Sequence, residues 1–299
     1  MFSERFFERD VNMRVLLCPP TYFEILEQNP KLNPWMKKDV QPDKKTAFNQ
    51  WRNLENSLLD LDLEVRLITP RPGLGDMCFA ANAAWGHDNM FFVAQYHPGV
   101  WWRKDEIPYY AKWFVQNRCG VCFLPEGVHF EGQGDIVSLN NSYIFGHGQR
   151  NSLEVIDHLE ERFRLKRIIP VELVDNRFYH LDVALHFARG AKSILWCPDA
   201  FSRDSQRKIE RITEKEKMAG LELSADEAVQ NIENGRVNFL LNSIYTGKNE
   251  IMCWDETFSE FPGRVRRFIE SRGCRIWPLN VSEFGRSGGG ARCLTLFLD

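Results

Sequence analysis

The chain has 299 residues, 43% of them hydrophobic, with 38 basic side chains against 41 acidic ones and a formal net charge of −3. That length buries an ample core and is read as one domain, 1–299, because no low-complexity linker divides it. The mixed, near-neutral charge gives no basic face for nucleic acid or a membrane surface, and no uncharged apolar run reaches the ~18–20 residues of a membrane span. Residues 1–12 are polar and lack the apolar centre of a signal peptide. Eight cysteines over this length are too sparse for a disulfide scaffold, so free thiols in a reducing cytoplasm are expected.

In chain order, the first strand signal is "MRVLLCPP" from Met13, which has no neighbouring partner. A helix is predicted over 46–61. Asn82 then opens "NAAWGHDNMFFVA", an apolar run, a turn and a second apolar run. A helix over 109–117 and a short strand "CGVCFL" lead to Asp135, which opens "DIVSLNNSYIFG". After a helix over 153–163, Asp182 opens "DVALHFARGAKSILW". A helix over 201–218 follows, and another starts at Ser224, where Ser224 and Glu227 form a capping box, ending before Gly235. Asn242 opens "NSIYTGKNEIMCW" and Cys293 opens "CLTLFL". These openers are about 53, 47, 60 and 51 residues apart. A period in that range marks a propeller, solenoid or array. The fifth unit has room for one strand only, and the orphan strand from Met13 would complete it, leaving no sheet edge exposed. The expectation is an α/β, five-bladed propeller closed by the N-terminal strand, with each polar opener facing a central axis.

Three segments carry chemistry. In "SGGGARCLTLFL", three glycines permit positive φ and close backbone approach, and they place the Cys293 thiol at the start of a buried strand. In "FYHLDVAL", His180 and Asp182 would share one face of a strand, within an apolar surround that demands partners for charge. In "FEGQGDIVSL", glycines bring Glu131 and Asp135 to the mouth of another strand. A packed cysteine, a satisfied core His–Asp pair and an acidic surface turn are the bland alternatives. The set suits a guanidinium substrate, which stays cationic and needs carboxylates or amides in planar geometry. Its carbon calls for a thiolate nucleophile, and its leaving amine for an imidazole acid. Cys119 and Cys122 spell C-x-x-C without a second pair, so neither a metal nor a cofactor is expected. The charged run 207–217 reads as the solvated face of a helix.

These motifs, with "MRVLLCPPTYFEI", "NPWM", "GDMCFAANAAW" and "CPDAFS", resemble the guanidino-group-modifying, or amidinotransferase, superfamily of five-fold pentein proteins over nearly the whole chain. The resemblance is to the branch of arginine dihydrolases and dimethylarginine dimethylaminohydrolases. It implies that Cys293 attacks the guanidinium carbon to give a thiouronium intermediate, with His180 as general acid and then base. It implies that Glu131 orients His180 or holds the guanidinium, and that Asp182 binds guanidinium nitrogens. Asn82 falls where many members carry an aspartate, Asp76 where they hold the α-amino group, and Arg150 where they hold the α-carboxylate. Ala81 replaces an acidic residue of the dimethylarginine enzymes. The implied activity is hydrolysis of free arginine or a close analogue, by the dihydrolase or deiminase route. Amidino transfer and dimethylarginine hydrolysis are alternatives, and a non-catalytic binding protein on the same fold a more distant one. The partner is a small guanidino compound, and a homo-oligomer is left open. The aromatic stretch 97–110, with Trp101 and Trp102, reads as a lid or as core.

Overall fold

The structure, a computed structural model, describes residues 13–139, 142–165, 167–188, 191–246, 249–257 and 259–298, so the segment 1–12 lies outside it. Arg14–Leu17 lies antiparallel to Leu296–Phe297 on one side and parallel to Glu64–Leu67 on the other. The strand from the N-terminal run therefore completes the fifth unit, as the sequence suggests. The same pairing order, antiparallel then parallel, recurs four times. It joins Ala84–His87, Met90–Val93 and Gly120–Cys122, then Ile136–Ser138, Tyr143–His147 and Ile168–Glu172. Leu185–Ala188, Ser193–Trp196 and Ala219–Glu222 form the next sheet, and Ile244–Tyr245, Asn249–Cys253 and Arg275–Leu279 the last.

A parallel partner requires a crossover, and in each unit a helix supplies it. The five are Lys44–Asp60, Ile107–Gln116, Val155–Phe163, Arg203–Lys215 and Gly263–Ser271. Lys44–Asp60 starts where the Asp43 side chain accepts from the Thr46 N–H and buries Ala47, Trp51, Leu54 and Leu58, an apolar stripe at helical spacing. Arg203–Lys215 buries only Ser205, Ile209 and Ile212, so its charged run does lie on the outer face. The middle strands pack both faces: Ser193–Trp196 is buried throughout.

One expected helix is shorter than predicted and one helix is added. Ser224 and Glu227 do form a capping box, but the helix lasts one turn, Ala225–Ala228. The chain then enters a hairpin, Val229–Asn231 with Val237–Phe239, turning through Asn234 and Gly235 at φ 63° and 76°. Helix Gly263–Ser271 was not predicted, because its buried side chains, Val265 and Ile269, are a single pair one turn apart.

The polar openers also sit one turn earlier than expected. Asn82 lies in the 3-10 turn Ala80–Ala83 and Asp135 ends the 3-10 turn Gly132–Asp135. Asp182 lies in the helical turn Leu181–Ala184, whose N-cap is His180, so these two do not share a strand face. Cys293 lies in a turn, and its strand begins only at Leu296. Short turns at the strand mouths leave side chains free to face a neighbouring unit. At φ 72°, Gly132 permits that approach, since a Cβ there would meet Ala81 O at 2.5 Å and Ala84 O at 2.8 Å.

Candidate active site

The Cys293 thiol is 2% exposed and is held from three directions. The Asn242 side-chain oxygen accepts from the backbone N–H groups of Gly290 and Cys293, both at 3.0 Å, while its amide nitrogen donates to Cys293 Sγ at 3.2 Å. The thiol faces Asp182 Oδ2 at 3.5 Å. This clamp needs the glycines: a Cβ on Gly290 would meet Cys253 Sγ at 2.9 Å and Asn242 Oδ1 at 3.0 Å. Gly288 sits at φ 83°, and its carbonyl accepts from the Tyr179 hydroxyl at 2.8 Å. Burial and the Asp182 carboxylate push the thiol pKa well up, against the hydrogen bonds from Gly290 and Asn242. Burial also pushes Asp182 up, to about 6, although His180 opposes the shift.

His180 has a carboxylate at each ring nitrogen. Nδ1 lies 2.5 Å from Asp135 Oδ2, and Nε2 lies 3.3 Å from Glu131 Oε2. Asp135 Oδ1 also accepts from the Leu181 N–H at 2.8 Å, which anchors the turn carrying the imidazole. Burial alone would lower the imidazole pKa, but Asp135 and Glu131 outweigh it and raise it to about 9. At neutral pH both ring nitrogens therefore carry protons. Burial would raise Glu131, yet Arg150 and His180 hold it below the usual carboxylate range. Its Oε2 accepts from Arg150 Nη1 at 2.9 Å and its Oε1 from the His97 N–H at 3.3 Å. Arg150 stacks over the Tyr179 ring, 4.9 Å from its centroid, and also donates to Leu32 O.

Across the cavity, Asn82 Oδ1 accepts from Arg103 Nη1 at 3.0 Å and its Nδ2 donates to Glu131 O at 3.4 Å. Arg103 is buried against Glu106 at 3.0 Å and over the Tyr96 ring. Asp76 Oδ2 accepts from Trp102 Nε1 at 2.8 Å, whereas the buried Oδ1 has no hydrogen-bond partner among the described residues. Burial raises the Asp76 pKa, opposed by Arg103 and Trp102. Cys293, His180, Asp76, Asn82, Arg103 and Arg150 line one cavity. Its volume is about 20 Å³, room for a water-sized body. An amino acid enters only when the lining moves.

The residues singled out from the sequence thus converge. Cys293, His180, Asp76, Asn82 and Arg150 line the cavity, and Glu131 and Asp182 stand directly behind it on His180 and Cys293. Trp102 belongs to this lining, while Trp101 is 57% exposed, so neither is core. Cys119 and Cys122 flank the strand Gly120–Cys122, both partly buried. Sequence reasoning did not place Asn242 and Arg103 among the site residues, nor Asp135 as the Nδ1 partner of His180. Two of these were visible as strand openers of the repeat, and Arg103 lay within the aromatic stretch.

An α/β chain of this repeat, with a buried thiol, a doubly carboxylate-bound imidazole and two ion-paired arginines around one narrow cavity, is a candidate cysteine-dependent enzyme. The family model for eukaryotic N,N dimethylarginine dimethylhydrolase matches residues 19–298, and the chain belongs to that family. It is 29% identical over 290 residues to the bifunctional arginine dihydrolase/ornithine cyclodeaminase ArgZ of Synechocystis sp., covering 95% of this chain and 37% of that protein. It is 28% identical over 285 residues to the N(G),N(G)-dimethylarginine dimethylaminohydrolase of Mycobacterium tuberculosis, covering 95% of this chain and 85% of that one. Among solved structures, the product-bound N-terminal domain of ArgZ superposes with a TM-score of 0.84 at 27% identity, over 96% of this chain and 98% of that domain. The chain therefore spans about 37% of the length of full ArgZ. No helix among the described residues is long and apolar enough to cross a membrane.

Proposed function

We propose that the protein is an arginine dihydrolase-type enzyme that hydrolyses the guanidinium of free arginine, or a close analogue, through Cys293. The observation that carries this reading is one narrow cavity lined both by the reacting pair, Cys293 and His180, and by Asp76 and Arg150. The unpartnered Asp76 oxygen suits an α-ammonium, and Arg150 with Arg103 suits an α-carboxylate. Asp182, 3.5 Å from the thiol, suits the guanidinium itself.

In the empty site the thiol is neutral and the imidazole cationic. Arrival of a guanidinium beside Asp182 lowers the thiol pKa, and the thiol proton passes to solvent. The thiolate adds to the guanidinium carbon, and the C–N bond to the terminal nitrogen breaks. His180 gives its proton to the departing ammonia, which leaves a thiouronium on Cys293. The neutral imidazole then takes a proton from water, the hydroxide adds, and the C–S bond breaks to give citrulline. A second round on the ureide yields ammonia, carbon dioxide and ornithine. Asn82 supports that second round. With its oxygen held by Arg103, it offers an amide N–H to a ureido oxygen, where an aspartate would offer only acceptors. The relatives named arginine dihydrolase and the alanine at position 81 favour this route over dimethylarginine hydrolysis.

The five repeated sheets, with the first strand completing the last, support a closed five-bladed pentein ring and a single domain over 1–299. Free thiols at all eight cysteines suit a cytoplasmic setting. The reading is tested by incubating the protein with arginine, agmatine and dimethylarginine and identifying products by mass spectrometry. Ornithine and ammonia from arginine support it. Dimethylamine from dimethylarginine alone, or no product from any guanidine, contradicts it.

A further inference from the structure

A second cavity, of about 280 Å³, lies on the far side of the wall that closes the catalytic one. Three chain segments build this wall, and each sends side chains both ways. Asn33 and Met36 line the catalytic cavity, whereas Trp35, Lys37 and Val40 line the second. Tyr179 and His180 face the first, Arg177 the second. Ser287 and Gly289 face the first, Arg286 the second. Hydrogen bonds tie the segments together. Asn33 Nδ2 donates to Ser287 O at 2.9 Å, the Tyr179 hydroxyl to Gly288 O at 2.8 Å, and Trp35 Nε1 to Arg177 O at 3.0 Å.

The chemistry of the second cavity is one-sided. Among the described residues that line it, three are cations and none is acidic. Arg177 is oriented by Asp175 at 2.6 Å and Arg286 by Glu283 at 2.8 Å, each acid standing outside the lining, while Lys37 is exposed. Trp35 and Val237 supply apolar surface to the same lining. A volume near the lower end of ligand pockets, with a few polar groups around an indole, suits a small amphiphilic anion.

We propose that this cavity binds a small carboxylate with a flat apolar body, and that occupancy holds the shared wall shut and slows substrate entry. The anion sits among Lys37, Arg177 and Arg286, and the flat body lies against Trp35. Since the catalytic cavity is too small for an amino acid, any ligand that pins segments 33–37 and 286–289 together opposes its opening. The effect on turnover rests on the function proposed above; the binding does not.

The probe is 4-fluorobenzoate, observed by fluorine NMR, with 4-fluorobenzylamine as the cation of the same body. The wild type is expected to broaden the benzoate line and leave the amine line sharp. Lys37→Glu should weaken benzoate binding about ten-fold, and Val40→Trp, which fills the cavity, should remove it. Both variants should keep the basal turnover of arginine. Cys293→Ser saturated with arginine should still bind benzoate. In the wild type, saturating benzoate should lower kcat/KM for arginine, and slow alkylation of Cys293 by iodoacetamide, by at least about five-fold. Absence of binding, binding indifferent to both variants, or displacement of benzoate by arginine overturns the proposal. Binding that leaves alkylation unchanged overturns the coupling. Alkylation needs no turnover, so inactivity toward arginine would count against the proposed function and leave this test standing.

Discussion

At the scale of single residues, the site works by placing charge where a neutral thiol needs help. In the proposed mechanism His180 is the acid, and Asp135 and Glu131 keep it protonated up to about pH 9. Its folded pKa is raised, so the protonated form is present below that value and lost as pH rises through it. Activity that depends on this proton should decline above about pH 9. In Asp135→Asn, which removes the carboxylate 2.5 Å from the imidazole, the decline should begin at lower pH, with kcat down by about a hundred-fold or more. A pH–rate profile of both proteins checks this, and an unmoved alkaline limb would remove Asp135 from the mechanism. Asp76 provides a second prediction. Asp76→Asn should weaken binding of arginine by roughly 1.5–3 kcal/mol, about ten- to a hundred-fold. It should leave 5-guanidinopentanoate, which lacks the α-amino group, nearly unaffected. Equal losses for both ligands, read by calorimetry in the Cys293→Ser background, would show that Asp76 is structural. For Asn82→Asp, the carboxylate cannot donate to a ureido oxygen. The ratio of ornithine to citrulline released from arginine should fall, and an unchanged ratio would make Asn82 a bystander.

At the scale of elements, the groups proposed for catalysis ride on turns rather than on strands. The turns at Asn82, Asp135 and Asp182 precede antiparallel hairpins, whereas the one at Cys293 precedes a strand paired with Arg14–Leu17, and the glycine run before Cys293 is closely packed. A methyl on Gly288 would meet the Tyr179 hydroxyl at 2.6 Å and Asn33 Oδ1 at 2.8 Å, at a φ of 83° that side chains resist. Gly288→Ala should therefore cost about 1–3 kcal/mol. Calorimetry should show a lowered Tm, and iodoacetamide should report altered reactivity of Cys293; a full Tm would show that the loop is slack. The sequence revealed the strand–turn–strand units because their buried strands are uninterrupted apolar runs bracketed by turn residues. Helices with a broad apolar stripe, such as Lys44–Asp60, were equally legible. What escaped was weakly periodic: the two buried residues of Gly263–Ser271, and the polar hairpin after Ala228. The His180–Asp182 pair was found for an incorrect reason. Strand alternation suggested a shared face, whereas a helical turn delivers one side chain to Asp135 and the other to Cys293. Partner choice was not legible either, because Asp135, Asn242 and Arg103 act across units that are distant in the chain.

At the scale of the whole molecule, a repeated unit brings five openers of three kinds, two amides, two carboxylates and a thiol, to one region. Asn242 and Asp182 touch the thiol, Asp135 touches His180, and Asn82 touches Arg103, which lines the cavity. Repeated backbone with differing openers brings a thiol, an imidazole and carboxylates together from separate units, the set that the proposed mechanism uses. The central claim is that Cys293 attacks the guanidinium carbon of arginine and expels ammonia first. Rapid quenching of the wild type with arginine, followed by intact-protein mass spectrometry, tests it most directly. An adduct of arginine less one ammonia is expected on the peptide carrying Cys293, absent in Cys293→Ser. An adduct of the amidino group alone would mean that ornithine leaves first, as in amidino transfer. Turnover with no adduct, or turnover surviving in Cys293→Ser, would contradict covalent catalysis by this thiol.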